Sequence, residues 1–170
     1  MASLGHVAVG LAAARFRTPR KVPRPSAVDM LFWCALSLLP DADVLSFRLG
    51  IPYAAPFGHR GFTHSFAFAL LVSCLLMWAR RRMQSPAWGA GLLALLVVAS
   101  HPLLDTMTDG GLGCALFWPF SNMRYFAPIT PIPVAPLGRN LLSLKGLQVA
   151  GVELLLFSPL FFYALRTRRS

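Results

Sequence analysis

Apolar runs closed by arginines or proline divide this chain into five segments, and that alternation restricts the fold more than any other feature. Residues 4–14 and 27–39 are short, ended by Arg15 and Pro40; residues 62–79, 87–104 and 149–165 are longer. A bilayer-spanning helix needs about 20 apolar residues, so the last three approach spanning length and the first two stop a turn or two short. Only 13% of the 170 residues are charged, whereas 56% are hydrophobic. Soluble domains carry about 25% charged residues, so too little polar surface is available for a water-facing globule. The expected fold is a single all-α membrane domain over residues 1–170: a polytopic bundle of four to five helices, the first two short.

The net charge of +10 raises the question of a nucleic-acid partner, which its distribution excludes. Eleven of the 16 basic residues fall in three clusters beside apolar segments: Arg15, Arg17, Arg20, Lys21 and Arg24; Arg80, Arg81 and Arg82; Arg166, Arg168 and Arg169. Cytoplasmic loops of membrane proteins concentrate Lys and Arg in this way. The start of the chain lacks the charged leader and cleavage site of a secretory signal, so no processing is expected. Cys34, Cys74 and Cys114 are widely spaced, form no C-x-x-C pair and read as inert, buried thiols.

With the three arginine clusters placed inside, all four histidines and three of the six acidic residues come to the opposite, extracytoplasmic face: His6, Asp41, Asp43, His59, His64, His101 and Asp105. Because the first two segments are short, His6 and Asp41 are expected below headgroup level, in a recess. Residues 106–145, rich in Pro and Gly and carrying Trp118, Phe120, Tyr125 and Phe126, read as an irregular outer cap at the interface.

Imidazole and carboxylate are the ligands of hydrolytic metal centres. Asp41-x-Asp43 follows a Leu-Pro, where a hydrated turn is the alternative. In Gly58-His59-Arg60-Gly61-Phe62-Thr63-His64-Ser65, the glycines are expected to let the chain fold back so that both imidazoles face one point. Thr63 is the expected N-cap, with His64 in the first helical turn. Arg60 suits a phosphate or carboxylate oxygen; a headgroup-contacting loop is the plainer reading. His101 and Asp105 stand at i, i+4 on one helix face, a geometry that Pro102 perturbs unless it falls in a first helical turn; a structural His–Asp hydrogen bond is the alternative. A set of nitrogen and oxygen ligands without cysteine favours zinc, with manganese or iron as rivals, and seven ligands suit two ions or three. Asp109 reads as a further ligand or a turn residue. Glu153, the one glutamate, needs a partner inside the membrane and is placed beside the ligands. Asp29 reads as a helix-start charge or a partner of Arg24.

The motifs GHVAVGLAAA, LLPDAD, GHRGFTHS, SHPLLDTMTDGG and FWP…MRYFAPI resemble the bacterial membrane-bound metal-dependent hydrolase family over most of residues 1–130. The order of ligands is similar to that of zinc-dependent phospholipases C and nucleases. Family members often carry an acidic residue or histidine just after the Asp-x-Asp; here Val44 follows. The resemblance implies a hydrolase of the bacterial inner membrane whose metal ligands are the seven residues above. A phosphoester in a lipid or lipid-linked molecule is the expected substrate. Asp41, Asp43 or Asp105 would accept the proton, Arg60 and Arg124 would clamp the phosphoryl oxygens, and Thr63, Asp109 and Glu153 would support the ligands. The competing expectations are a non-enzymatic metal-binding membrane protein and a lipid-interaction protein without metal.

Overall fold

The computed structural model describes residues 3–136 and 142–167, and among these five helices carry the architecture: α1 (Ser3–Arg17), α2 (Ala27–Leu38), α3 (Phe66–Arg82), α4 (Trp88–Thr106) and α5 (Leu144–Leu165). No strand forms among the described residues. Two isolated bridges, Thr108 to Ile132 and Cys114 to Tyr125, tie the cap together. Serines start three of the helices. Ser26 accepts from the Asp29 N–H, Ser65 from Phe68 and Ser143 from Gly146, each satisfying a first-turn donor that has no partner inside its own helix. Ser26 also donates to the Asp29 carboxylate at 2.6 Å, so Asp29 is a helix-start charge. The Thr63 cap expected for α3 is displaced to Ser65, and His64 lies in a 3-10 turn (Phe62–His64) ahead of the helix.

Two expected lengths change. Pro40 does not end the second segment. It occupies the start of a 3-10 stretch (Leu39–Val44), where a missing N–H is harmless, and one more helical turn (Leu45–Arg48) follows. The path Ala27–Arg48 is thus 22 residues long with mean hydropathy 1.4, enough to cross a bilayer, as are α4 with 19 residues and α5 with 22. By contrast α3, expected to span, has 17 residues and ends in Arg80, Arg81 and Arg82. The irregular cap is present, although residues 137–141 of it lie outside the described residues.

Helix α1 forms the centre, with α2, α4 and α5 packed around it. Its contact faces are built from small residues: Ala8, Ala13 and Ala14 are buried, and a Cβ on Gly10 would stand 2.5 Å from the Cα of Cys34 on α2. Close backbone approach over small residues is how helices associate where lipid removes the hydrophobic drive between them. Outward, leucines such as Leu31, Leu92 and Leu155 are exposed, a surface suited to acyl chains. At the far end of α1 the Arg15 guanidinium donates to the carbonyls of Pro23 (2.8 Å) and Arg166 (2.7 Å), and Arg24 bonds Thr167. Two arginine clusters therefore meet at one end. His6, nine residues earlier, is about 14 Å away along the helix. Arg168 and Arg169 lie outside the described residues.

Gly10→Leu should force α1 and α2 apart at a cost of about 1–3 kcal/mol. In detergent it should lower the melting temperature by about 3–10 °C, whereas Gly151→Leu, which meets nothing within 4 Å, should leave it unchanged. Equal melting of the two variants would refute the close packing of α1 on α2.

Candidate metal centre

Asp43 organises the segment Gly58–Ser65. Its Oδ1 accepts from His59 Nδ1 at 2.6 Å, and its Oδ2 accepts from the Arg60 N–H at 3.0 Å and the Thr63 hydroxyl at 2.5 Å. His64 Nδ1 lies 3.1 Å from the same Oδ2. A carboxylate only accepts, so both imidazoles must carry their protons on Nδ1, and His64 Nε2 is turned away toward other groups. Gly58 and Gly61 are required, but not for their torsional freedom. A Cβ on either would stand 2.2 Å from a carbonyl oxygen, of Pro52 and Pro56 respectively. The left-handed backbone falls on Arg60 itself, at φ 60°. Close approach at the glycines and an unfavourable torsion at Arg60 together turn the two histidines inward.

Four residues then converge. Asp41, His64, His101 and Asp105 each offer one ligand atom within 4.8 Å of the other three. Asp41 Oδ1 is 3.4 Å from His101 Nε2 and 3.7 Å from His64 Nε2, and Asp105 Oδ2 is 3.5 Å from His64 Nε2. Both Asp41 oxygens, His64 Nε2 and His101 Nε2 are buried without a hydrogen-bond partner. Buried polar atoms are almost always satisfied, and unsatisfied atoms of Asp41, His64 and His101 converging on one point are the arrangement a cation completes. His101 Nδ1 donates to the Ser37 carbonyl at 2.7 Å, which leaves a lone pair on Nε2, as in metal-binding histidines. His101 and Asp105 share a face of α4 as expected. Pro102 lies inside α4 without breaking it; prolines are tolerated in such helices where neighbours satisfy the backbone. A second group, Asp41, Asp43 and His59, meets the same distance criterion and shares Asp41 with the first.

His6 belongs to neither group. Its ring stacks on His101 with centroids 3.6 Å apart, and its Nε2 is 3.3 Å from Asp105 Oδ1. The carboxylate of Glu153, on α5, accepts from the N–H groups of Leu4 (2.6 Å) and Gly5 (3.1 Å). It holds the start of α1, and so the depth of His6, rather than facing the ligands. Arg60 reaches inward: its Nε pairs with Asp105 Oδ2 at 3.0 Å, while its other nitrogens donate to the Gly110 carbonyl and Thr108. Three buried aspartates thus face one buried guanidinium, with Glu153 buried nearby at the start of α1. With neutral imidazoles that leaves net negative charge, which bound cations would offset. His64 reports the same demand. Burial opposes its charged form, but the neighbouring carboxylates of Asp105, Asp41 and Asp43 outweigh that and push its pKa up to about 10. A metal ion would replace that proton.

Over residues 1–168 the sequence matches the YdjM inner membrane protein family. The chain belongs to that family. It is also 47% identical over 102 residues to the inner membrane protein YbcI of Escherichia coli (strain K12), an alignment covering 59% of each chain, so a little over half the length of that relative is matched. No solved structure matches. The YdjM family name states a membrane and no reaction, so it carries the membrane part of the resemblance drawn from the motifs and leaves hydrolysis unaddressed.

The remaining candidates of this YdjM-family chain are placed elsewhere. Arg124, expected on a phosphate, donates to the carbonyls of Tyr53 (2.9 Å), His59 (3.1 Å), Ala55 (3.2 Å) and Gly113 (3.4 Å), and it stacks over the Tyr53 ring. It pins the cap to the His59 loop. Arg60 is likewise engaged by Asp105 and fully buried, not free to clamp a ligand. Asp109 is exposed and accepts from the Val134 N–H at 2.7 Å, a turn role. Thr63 does support the histidines, through Asp43. Cys114 is buried, which pushes its thiol up to about 12 and leaves it inert; Cys74, expected to be buried, is exposed on α3. Sequence reasoning missed the Ser37 carbonyl, a backbone group that no residue type announces. It also missed Ser65, whose position ahead of an apolar run was a readable cap signal. Removing the Arg124 bonds should loosen the cap: Arg124→Ala should destabilise by about 2–4 kcal/mol and raise amide exchange at residues 53–59 and 113. Unchanged exchange there would contradict a pinning role.

Proposed function

We propose that this protein is a metal-dependent hydrolase of the inner membrane, acting on a phosphoester in a lipid or lipid-linked molecule. The observation that carries the reading is the convergence of unsatisfied Asp41, His64 and His101 atoms, with Asp105, on one point. Asp41 belongs to both groups and both its oxygens lack partners, so it would serve both sites, which by ligand type suit zinc. His64, His101 and Asp105 would complete the first site. Asp43 and His59 would complete the second after releasing to water the proton now held between them. Bound divalent ions would supply a water of lowered pKa and offset charge on the phosphoryl oxygens. The chain's own contribution is positional. Asp43 and the Ser37 carbonyl set which imidazole nitrogens carry lone pairs, Arg60 steadies Asp105, and Glu153 fixes the start of α1. The phosphoester assignment follows the likeness to phospholipases C in ligand order.

Orientation follows from charge. The arginine-bearing end lies in the cytoplasm and the His/Asp end faces the extracytoplasmic side. A reporter fused after Arg82 should read as cytoplasmic; an extracytoplasmic readout would invert the assignment.

A second reading has its own support. His64, His101 and Asp105 are fully buried, and a closed four-residue site is the form that structural zinc takes. That reading predicts one ion and no turnover. Elemental analysis of the purified protein separates the two. Two equivalents are expected, both lost in Asp41→Ala and one lost in each of His101→Ala and His59→Ala, together with chelator-sensitive hydrolysis of a phosphoester panel. One equivalent without turnover would establish the structural site, and none would end the metal assignment altogether.

A further inference from the structure

At the end opposite the His/Asp cluster, a cavity of about 360 Å³ opens between the end of α1, the following loop, the start of α2 and the last turn of α3. Its volume falls in the range of about 300–1,000 Å³ typical of small-molecule sites. Three arginines line it from three separate stretches of chain: Arg17, Arg24 and Arg80. Elsewhere at this end arginines are visibly employed. Arg15 holds two carbonyls, and Arg81 and Arg82 lie over the rings of Trp88 and Trp78. The side chains of Arg17 and Arg80 have no hydrogen bond or ion pair to any described residue, and that of Arg24 has a single bond, from Nε to Thr167. The two terminal nitrogens of each remain available as donors. The one acid in the wall, Asp29, already accepts from Ser26, and it leaves three positive charges against one negative.

We propose that this cavity binds the phosphate of an anionic phospholipid headgroup. Phosphate suits the donors: guanidinium groups present paired N–H bonds that match its oxygens. Phosphate also suits the place, because basic pockets between membrane helices on the cytoplasmic side are where anionic headgroups settle. The source is a lipid and not free phosphate because the cavity has an apolar wall. Phe32 and the buried Trp33 line it, apolar surface suited to a glycerol backbone and the first acyl carbons. The site holds together the ends of α1, α2 and α3, so occupancy should also stiffen that end. None of this depends on the hydrolase reading, since no residue is shared with the His/Asp cluster.

The test is native mass spectrometry of the full chain released from nanodiscs of equal phosphatidylglycerol and phosphatidylcholine, counting retained lipid. Wild type should retain phosphatidylglycerol preferentially. Arg17→Gln/Arg80→Gln should lower its affinity by about twentyfold or more, at about fivefold per arginine. Arg81→Gln/Arg82→Gln removes the same charge from the same end outside the cavity and should lose far less. Equal losses in the two double variants would reduce the effect to general surface attraction and overturn the site. Displacement of retained phosphatidylglycerol by millimolar inorganic phosphate would overturn the lipid as the source and assign the cavity to the free anion. No preference for phosphatidylglycerol over phosphatidylcholine in wild type would overturn the proposal outright. The double variants are checked by circular dichroism for native helix content. Should Arg17→Gln/Arg80→Gln fail that check, the single variants Arg17→Lys and Arg80→Lys keep the charge and lose the paired geometry, and each should weaken retention by a smaller factor; wild-type retention in both would overturn the guanidinium role.

Discussion

Burying carboxylates away from water is expensive, and one end of this bundle buries four of them: Asp41, Asp43 and Asp105 among the histidines, and Glu153 at the start of α1. Each must find positive charge or donors, or it protonates. Much of the local structure can be understood as the response to that demand. Asp43 is met by an imidazole, a backbone N–H and a hydroxyl, all from one short loop. Asp105 is met by Arg60 and His6. Meeting both at once requires Arg60 to turn its side chain inward while its own N–H faces Asp43, which accounts for its positive φ. The compact glycines on either side follow from the same requirement. Asp41 is the carboxylate left with neither oxygen bonded, and it is the residue common to both candidate ligand groups.

The membrane sharpens these constraints. With lipid around the bundle there is no bulk water to relieve an unpaired group, so the buried acids and histidines collect at one end, and much of the remaining helix contact surface is assembled from alanine, glycine and valine. The small residues of α1 let its neighbours approach closely enough that His101 of α4 can stack on His6. A bulky residue along that seam would separate the rings even though it touched none of the ligands.

The helical class, the number of segments and the gathering of the seven His and Asp residues were legible because each rests on a one-dimensional signal: apolar length, arginine position and the scarcity of ionisable groups. What was not legible depends on which partner a group meets in three dimensions. Pro40 looks like a stop, yet a proline at the start of a tighter turn continues the path. Arg60 and Arg124 look like free cations on a loop, but their donors are taken by a carboxylate and by carbonyls that are distant in sequence. Asp43 looks like one ligand among several, and its role in holding two imidazoles emerges only from their common distance to it. His6 shares the end but not the point of convergence, a difference of a few ångströms that no spacing rule resolves.

Glu153 shows how far the site depends on residues that never reach it. Helix α1 is only 15 residues long, too short to place both ends in water, so its first N–H groups begin among other helices. Unsatisfied donors there would cost several kcal/mol in hydrocarbon. A carboxylate at that position answers two of them and sits at the positive end of the helix dipole, where negative charge is favoured. A short first helix, an intramembrane glutamate on the last helix and a histidine one to two residues beyond the capped N–H groups would otherwise be three separate oddities. Together they form one device: the glutamate makes the short helix tolerable, and the short helix sets the histidine at the depth of the other ligands.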